Sequence, residues 1–312
     1  MERFLVTGGA GFIGSNICKE LVAQGWFVRV VDNLLTGKKA NLAAIIDRIE
    51  FIEADMGDED VARGAMKDID IVLHQGALPS VPLSVEDPAA THKHCVDATF
   101  TLLLAARDAG VKRFVFASSS SAYGDTPTLP KVETMAPQPL SPYAVAKLVG
   151  EYYCSVFYGV FGLETISLRY FNVFGPHQDP TSQYAAAIPA FVTAILKDKP
   201  PIVYGDGLQS RDFTYVDNVV EANLLTARAK ETKGEVVNIA YGQAVTVNEV
   251  IDTVNELLGK DIKPTYTDPR PGDVKHSLAD ISAAQDLLAY NPRISFRDGL
   301  QRAIVWYRDN LL

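Results

Sequence analysis

Phe4-Leu5-Val6-Thr7-Gly8-Gly9-Ala10-Gly11-Phe12-Ile13-Gly14 is a short apolar run that breaks off into four glycines within seven residues. After it, Ile13, Ile17, Leu21 and Val22 keep helical spacing up to Gly25, a helix-stopping residue. A second apolar run over 26–31 ends in Asp32-Asn33. Strand, glycine turn, helix, strand and acid in this order make a dinucleotide-binding unit, its acid about 20 residues beyond the turn. The glycines let backbone N–H groups approach a pyrophosphate at the positive end of the helix. Asp32 suits the adenosine ribose hydroxyls and repels a 2′-phosphate, which favours NAD over NADP. Glycines alone mark only a tight turn; the strand before them and the helix after them favour cofactor binding.

Further apolar runs at 49–54, 69–74 and 113–117 read as buried strands, with helical patterns at 59–66 and 96–109 between them. The alternation predicts an α/β fold, a doubly wound parallel (Rossmann) sheet with a smaller C-terminal α/β substrate lobe. Ligands of such sheets sit at the carboxyl ends of the strands. The residues just past those ends are Asp55-Met56, Gln75-Gly76-Ala77-Leu78 and Ser118-Ser119-Ser120-Ser121. Asp55 fits a bond to the adenine amine or an ordinary loop turn. The serines fit substrate hydroxyls better than loop filler, because a reactive-looking helix follows. Ser141-Pro142 opens that helix, and it carries Tyr143 and Lys147 four residues apart on one face. A phenol titrates near pH 10, and a neighbouring ammonium is expected to lower that value and make the pair a proton carrier.

The 312-residue chain has room for one large α/β unit or two modest domains. It has 47% hydrophobic and 21% charged residues and a formal net charge of −9, which argues against nucleic acid as its main partner. Cys18, Cys95 and Cys154 are too scattered for a disulfide framework. His74, His92, His94, His177 and His276 lack metal-ligand spacing, so no metal is expected. With no apolar run near 18 residues and no signal-like N-terminus, a cytoplasmic protein without membrane contact is expected.

The set Gly8-x-x-Gly11-x-x-Gly14, Asp32, Asp55, the serine run with Tyr123-Gly124, and Tyr143-x-x-x-Lys147 resembles the extended short-chain dehydrogenase/reductase family. Within that family the chain looks like the UDP-sugar 4-epimerases over nearly its whole length. The resemblance implies NAD as cofactor and a site in three parts. The glycine turn would contribute Gly8, Gly11, Phe12, Ile13 and Gly14, followed by Asp32, Asn33 and Gly37. Asp55, Met56, Gln75, Ala77, Thr99 and Ala117 would continue the cofactor contacts to Tyr143, Lys147 and Tyr170 at the nicotinamide. The UDP-sugar would meet Ser80, Ser119, Ser120, Ser121 and Tyr143 on one side. Asn172, Tyr204, Arg211, Arg270, Asp273 and Ser277 would hold it on the other. Guanidinium groups suit phosphate oxygens, and an acid suits a diol.

In the implied reaction Tyr143 takes the 4-hydroxyl proton while hydride leaves C4 for NAD⁺, and Lys147 stabilises the phenolate. Ser119 bonds the reacting hydroxyl, and the 4-keto sugar turns before hydride returns to its other face. Dehydratase relatives carry an Asp-Glu pair after the serine or threonine; here Ser120, Ser121 and Ala122 follow, which disfavours elimination. Ser277 matches a gatekeeper beside the sugar 2-position, where a tyrosine would crowd an N-acetyl group. Together with 129–133 and 175–180 it points to UDP-N-acetylglucosamine and UDP-N-acetylgalactosamine, with UDP-glucose as a further substrate. Two positions depart from the family pattern: Cys95 stands where an asparagine usually contacts the cofactor, and Gly76 where an alanine is usual. A UDP-glucuronic acid 4-epimerase, with Lys275 or Lys131 as the extra cation, a net NAD-dependent oxidoreductase and a silent NAD-binding scaffold remain as alternatives. The resemblance also implies a homodimer through helices near 95–109 and 143–159. It divides the chain into an NAD-binding part, 1–172 with about 213–240, and a UDP-sugar lobe, about 173–212 with 241–312.

Overall fold

The computed structural model describes residues 2–179, 187–269 and 275–311. Seven strands form one sheet: β1 Arg3–Thr7, β2 Phe27–Asp32, β3 Glu50–Glu53, β4 Ile71–His74, β5 Arg113–Ser119, β6 Glu164–Tyr170 and β7 Glu235–Ile239. They lie in the order β7-β6-β5-β4-β1-β2-β3, and every neighbouring pair is parallel. The α/β sequence reading holds. The strands are near-continuous apolar runs because both faces are covered: Phe4, Val6 and Val30 pack to one side, Leu5, Val31 and Phe114 to the other. Since all seven run the same way, Thr7, Asp32, His74, Ser119 and Tyr170 end at one edge. The strand order reverses between β1 and β4, and there the edge opens into a crevice.

The helix Pro142–Phe161 forms as its sequence dictates. Ser141 caps it, its Oγ accepting the Ala144 N–H at 3.2 Å, with Pro142 in the first turn and Gly162 at φ 71° closing it. Gly150 lets this helix settle on β5, since a Cβ there would stand 2.3 Å from Phe116 Cζ. After β6 the chain leaves the sheet, returns for the helix Val216–Arg228 and β7, then leaves again. The excursions build a second core from Phe191, Val192, Val250, Val254, Leu300 and Tyr307 under the helices Ala187–Leu196, Val247–Leu258 and Phe296–Leu311. Short strand pairs edge it, among them Ser210–Asp212 with Ala244–Thr246.

Several elements, the short helices Val81–Glu86, Pro88–His92 and Ser282–Leu288 among them, have no forerunner in the sequence reading, and three more stand out. Lys39–Arg48 winds as a 3-10 run, Ala187–Leu196 is a helix, and Lys93–Asp97 is a π turn leading into the helix Ala98–Asp108. All three are set by what they pack against; their sequences carry no cap or clean period. Among the described residues no helix is long and apolar enough to cross a membrane.

Candidate active site

A cleft of about 800 Å³ opens at the carboxyl edge, its wall running from Asp32 and Gly37 to Lys147 and Tyr170. From β2 to β5 is three strand spacings, about 14 Å. Its floor is the glycine turn. Gly8 has φ +65°, and a Cβ on it would lie 2.6 Å from Gly76 Cα. A Cβ on Gly14 would lie 2.2 Å from the Gly8 carbonyl oxygen. The helix Phe12–Ala23 therefore starts hard against the turn. Gly11 caps it without a side-chain bond and no acid occupies its first turn, so its leading N–H groups face the cleft unserved. Asp32 is steered by two backbone donors, Ala10 N–H to Oδ2 at 2.9 Å and Leu34 N–H to Oδ1 at 2.8 Å. Burial pushes its carboxyl above the usual carboxylate range, and its remaining lone pairs suit a diol. A bare helix start, a glycine floor and a steered acid fit a dinucleotide.

At the other end Lys147 is 4% exposed, and its Nζ donates to the Ala117 carbonyl at 2.7 Å. Nζ lies 5.8 Å from the centre of the Tyr143 ring. The expected electrostatics need correction here. Burial pushes the Tyr143 phenol up, against a smaller pull from the Ser119 side chain, and burial pushes the Lys147 ammonium down. Desolvation is the largest influence on both side chains, so Tyr143 is a neutral phenol at neutral pH until positive charge is added beside it. Tyr170 reaches the same end, its hydroxyl 3.2 Å from Gln75 Oε1 and 2.9 Å from Asn223 Nδ2.

Most of the expected cofactor residues line this cleft, including Phe12, Ile13, Asn33, Met56, Gln75, Ala77 and Ala117. Two do not. Asp55 is held by its own loop: Oδ1 accepts the Gly57 N–H at 2.9 Å, Oδ2 faces His94 Nδ1 at 3.6 Å, and His94 itself meets the cleft. These contacts are those of a loop turn and leave lone pairs for an adenine amine as well. Thr99 is 1% exposed and bonds inward, donating to the Cys95 carbonyl at 2.6 Å and lying 2.9 Å from His74 Nε2. His74 is consumed on both sides, with Thr7 Oγ1 2.7 Å from Nδ1, and burial pushes its pKa down to about 3. Cys95 packs as a small apolar group, its sulfur 3.4 Å from the Leu78 N–H. At Gly76 a Cβ would stand 2.5 Å from the Met56 sulfur, so the missing methyl makes room for a methionine tip.

The residues expected to hold substrate are more dispersed. Ser80 lines the cleft, but its Oγ caps the helix Val81–Glu86 by accepting the Leu83 N–H. Ser119 accepts the Ser121 N–H at 3.2 Å, and Ser120 and Ser121 wind into a 3-10 turn that buries the Ser121 hydroxyl without a partner. Asn172, at φ 33°, donates from Nδ2 to the Asp212 carbonyl at 3.2 Å. Arg211 donates to the Ser210 and Lys275 carbonyls, and the Ser277 N–H returns to the Ser210 carbonyl at 3.0 Å. These residues meet around Asp212, a fully buried carboxylate accepting N–H groups from Tyr241, Gly242 and Ala279. Tyr204 ends the strand Ile202–Tyr204, its carbonyl accepting the Gln209 amide at 2.7 Å. Arg270 and Asp273 fall outside the described residues. The sequence reading also missed a strap at the Asp32 end, where Lys38 pairs with Asp179 at 2.5 Å and His177 meets Lys19 and Asn41. No local pattern could have announced these pairs across more than a hundred residues. Among the described residues no cluster of His, Cys, Asp or Glu is placed to hold a metal.

A dinucleotide cleft that ends in a tyrosine–lysine helix defines a short-chain dehydrogenase-like enzyme, and the family follows: the chain belongs to the NAD dependent epimerase/dehydratase family, whose model matches residues 4–240. It is 40% identical over 308 residues to a putative UDP-glucose 4-epimerase of Methanocaldococcus jannaschii, covering 98% of both chains. The solved UDP-N-acetylglucosamine 4-epimerase from Methanobrevibacter ruminantium, in complex with UDP-N-acetylmuramic acid, is 40% identical. It superposes with a TM-score of 0.95 over 99% of each chain. The UDP-glucuronic acid 4-epimerase from Bacillus cereus, in complex with UDP-glucuronic acid and NAD, is 33% identical, with a TM-score of 0.91 over 98% of this chain and 99% of that one.

Proposed function

We infer that this NAD-dependent enzyme inverts the C4 hydroxyl of a UDP-hexose through a 4-keto intermediate. The observation that carries the reading is Tyr143 beside Lys147 and Ser119 at the sheet end of the cleft, with no second acid or base after Ser119. NAD, when bound, supplies a hydride acceptor and donor and, oxidised, a positive charge that favours the phenolate. Tyr143 takes the 4-hydroxyl proton and later returns it, and Ser119 holds the reacting hydroxyl. Lys147 keeps an ammonium behind the phenol. Arg211, Asn172, Arg270 and Asp273 grip the nucleotide while the hexose, loosely held, turns. We assign cofactor binding to 1–172 with about 213–240, and substrate binding to about 173–212 with 241–312.

Among UDP-hexoses we assign the pair UDP-N-acetylglucosamine and UDP-N-acetylgalactosamine, with UDP-glucose and UDP-galactose as further substrates. Ser277 supports this: it is small and fixed by its backbone on the Ser210 carbonyl. Of the two cations a glucuronate could use, Lys131 is already engaged: the residue is 2% exposed and its ammonium is bonded to the Thr126 carbonyl and hydroxyl, whereas Lys275 is exposed. The direct test is incubation with UDP-N-acetylglucosamine and no added cofactor. The galacto isomer should appear without NADH; NADH accumulation would mean a net oxidoreductase, and no conversion of any UDP-hexose would mean a scaffold. Ser277→Tyr should lower kcat/KM for the acetylated sugars by about 5–150-fold, the effect of about 1–3 kcal/mol of overpacking. It should change UDP-glucose turnover little; equal losses on both would remove the gatekeeper role.

A second copy of this chain is the partner we assign. Val145, Tyr152, Val156 and Val160 form an exposed apolar stripe along the helix Pro142–Phe161, and Phe100 on the adjacent helix continues it. Two copies meeting there would make a four-helix contact. Val156→Arg is expected to turn a dimer into a monomer by light scattering, and a mass unchanged by the substitution would place the interface elsewhere.

A further inference from the structure

The helix that carries Tyr143 and Lys147 places Glu151 on the same face, one further four-residue step on. Glu151 is 3% exposed. Its Oε1 accepts the Ser118 hydroxyl at 2.5 Å and the Arg169 Nε at 2.8 Å, and its Oε2 accepts Arg169 Nη2 at 2.7 Å. Ser118 and Arg169 are register partners on β5 and β6. They flank the strand residues that matter: Ala117, whose carbonyl takes the Lys147 ammonium, Ser119, and Tyr170. We propose that Glu151 is a positioning residue of the catalytic pair, its carboxylate clamped by Arg169 and Ser118 so that it holds the buried Lys147 ammonium charged and aimed at β5. The proposal rests on the reading of Tyr143 and Lys147 given above.

The groups that face Lys147 narrow the source of its charge support. From its own helix come Tyr143 and Glu151, from the π turn Cys95, and from the sheet His74 and the Phe116 ring face, 5.0 Å away. Tyr143 is neutral, and so is His74, held so by burial. Burial works to strip the proton from Lys147; Cys95 and Glu151 oppose it. Glu151 is the group of these two that carries a carboxylate. A stability role would not require it, because a buried ion pair is often replaced by apolar residues without loss. The clamp fixes where the carboxylate lies, and Arg169 is itself braced by the Tyr123 ring, 4.6 Å away.

Glu151→Gln keeps the shape and removes the charge. Its alkaline limb of kcat/KM should move about 1 pH unit toward acid, the low end of the effect of a nearby opposite charge, with KM and retained NAD near wild type. The independent readout is the pH titration of the lysine Cε resonances by carbon-13 NMR, with Lys147 assigned by its loss in Lys147→Met; it should show the same shift. Should the Gln variant not fold, Glu151→Met fills a similar volume without the charge and leaves Arg169 in place, and the Lys147 resonance should move in the same direction. A lowered melting temperature with the Lys147 titration unmoved in either variant would overturn the proposal. A shifted titration in a protein that epimerises no UDP-hexose would uphold it and count against the functional reading.

Discussion

Tyr143→Phe is expected to lower epimerisation by about 10³-fold, the middle of the range for losing a positioned proton carrier, while NAD remains with the protein. The substitution deletes one oxygen. Everything that shapes the cofactor end stays: the Ser141 cap, Gly150 against Phe116, and Lys147 on the Ala117 carbonyl at 2.7 Å. The Ser119 side chain loses its phenol partner, which is a local change. The size of the effect follows from the lack of a substitute. His74 is sealed between Thr7 and Thr99, and the positions after Ser119 offer only hydroxyls and a methyl. Turnover of UDP-N-acetylglucosamine and NAD released on denaturation are the two measurements. Activity within about tenfold of wild type would mean that another group moves the proton, since one lost general base is worth at least about 100-fold.

How much of this site is legible in the chain depends on the range of the forces that set it. The glycine turn, Asp32 and the Tyr143 helix are legible because each is a local bargain between backbone and neighbour: positive φ, an orphan helix start, a serine cap and a proline. The orientation of Asp55 is not, because Gly57 and His94, the latter on a π turn, compete for it. Thr99 is a helix residue whose spacing puts it on the inner face, yet only the approach of β4 decides that its hydroxyl meets His74 instead of the cleft. The sign of the Tyr143 shift is the most instructive failure. Four-residue spacing predicts that the ammonium draws the phenol down, but spacing says nothing of desolvation, which is the larger influence on both side chains. Glu151 shows the converse, since its step from Lys147 is visible in the sequence and its meaning waits on Arg169 arriving from β6.

Gly14→Ala should abolish retention of NAD, with at least about 100-fold weaker binding, although alanine is the better helix former by about 1 kcal/mol. Two effects oppose each other. In the first turn of the helix Phe12–Ala23 an alanine methyl lowers the entropy of the unfolded chain and favours the fold. The same methyl would stand 2.2 Å from the Gly8 carbonyl oxygen and 2.8 Å from Gly9 Cα. Both are backbone atoms of the turn, so relief requires moving the turn or the helix start. Overpacking of this kind costs about 1–3 kcal/mol, and here the displaced atoms are the phosphate cradle itself. Stability of the cofactor-free protein should therefore fall modestly, while binding, which needs the turn and the helix N–H groups in one geometry, falls far more. Gly64 is the internal control. It lies within the helix Glu59–Ala65, and a Cβ there meets nothing within 4 Å, so Gly64→Ala should stabilise by up to about 1 kcal/mol and leave NAD content unchanged. Denaturant melts on stripped protein and calorimetric titration with NAD separate the two quantities. Wild-type affinity in Gly14→Ala would mean that the dinucleotide does not lie on this turn.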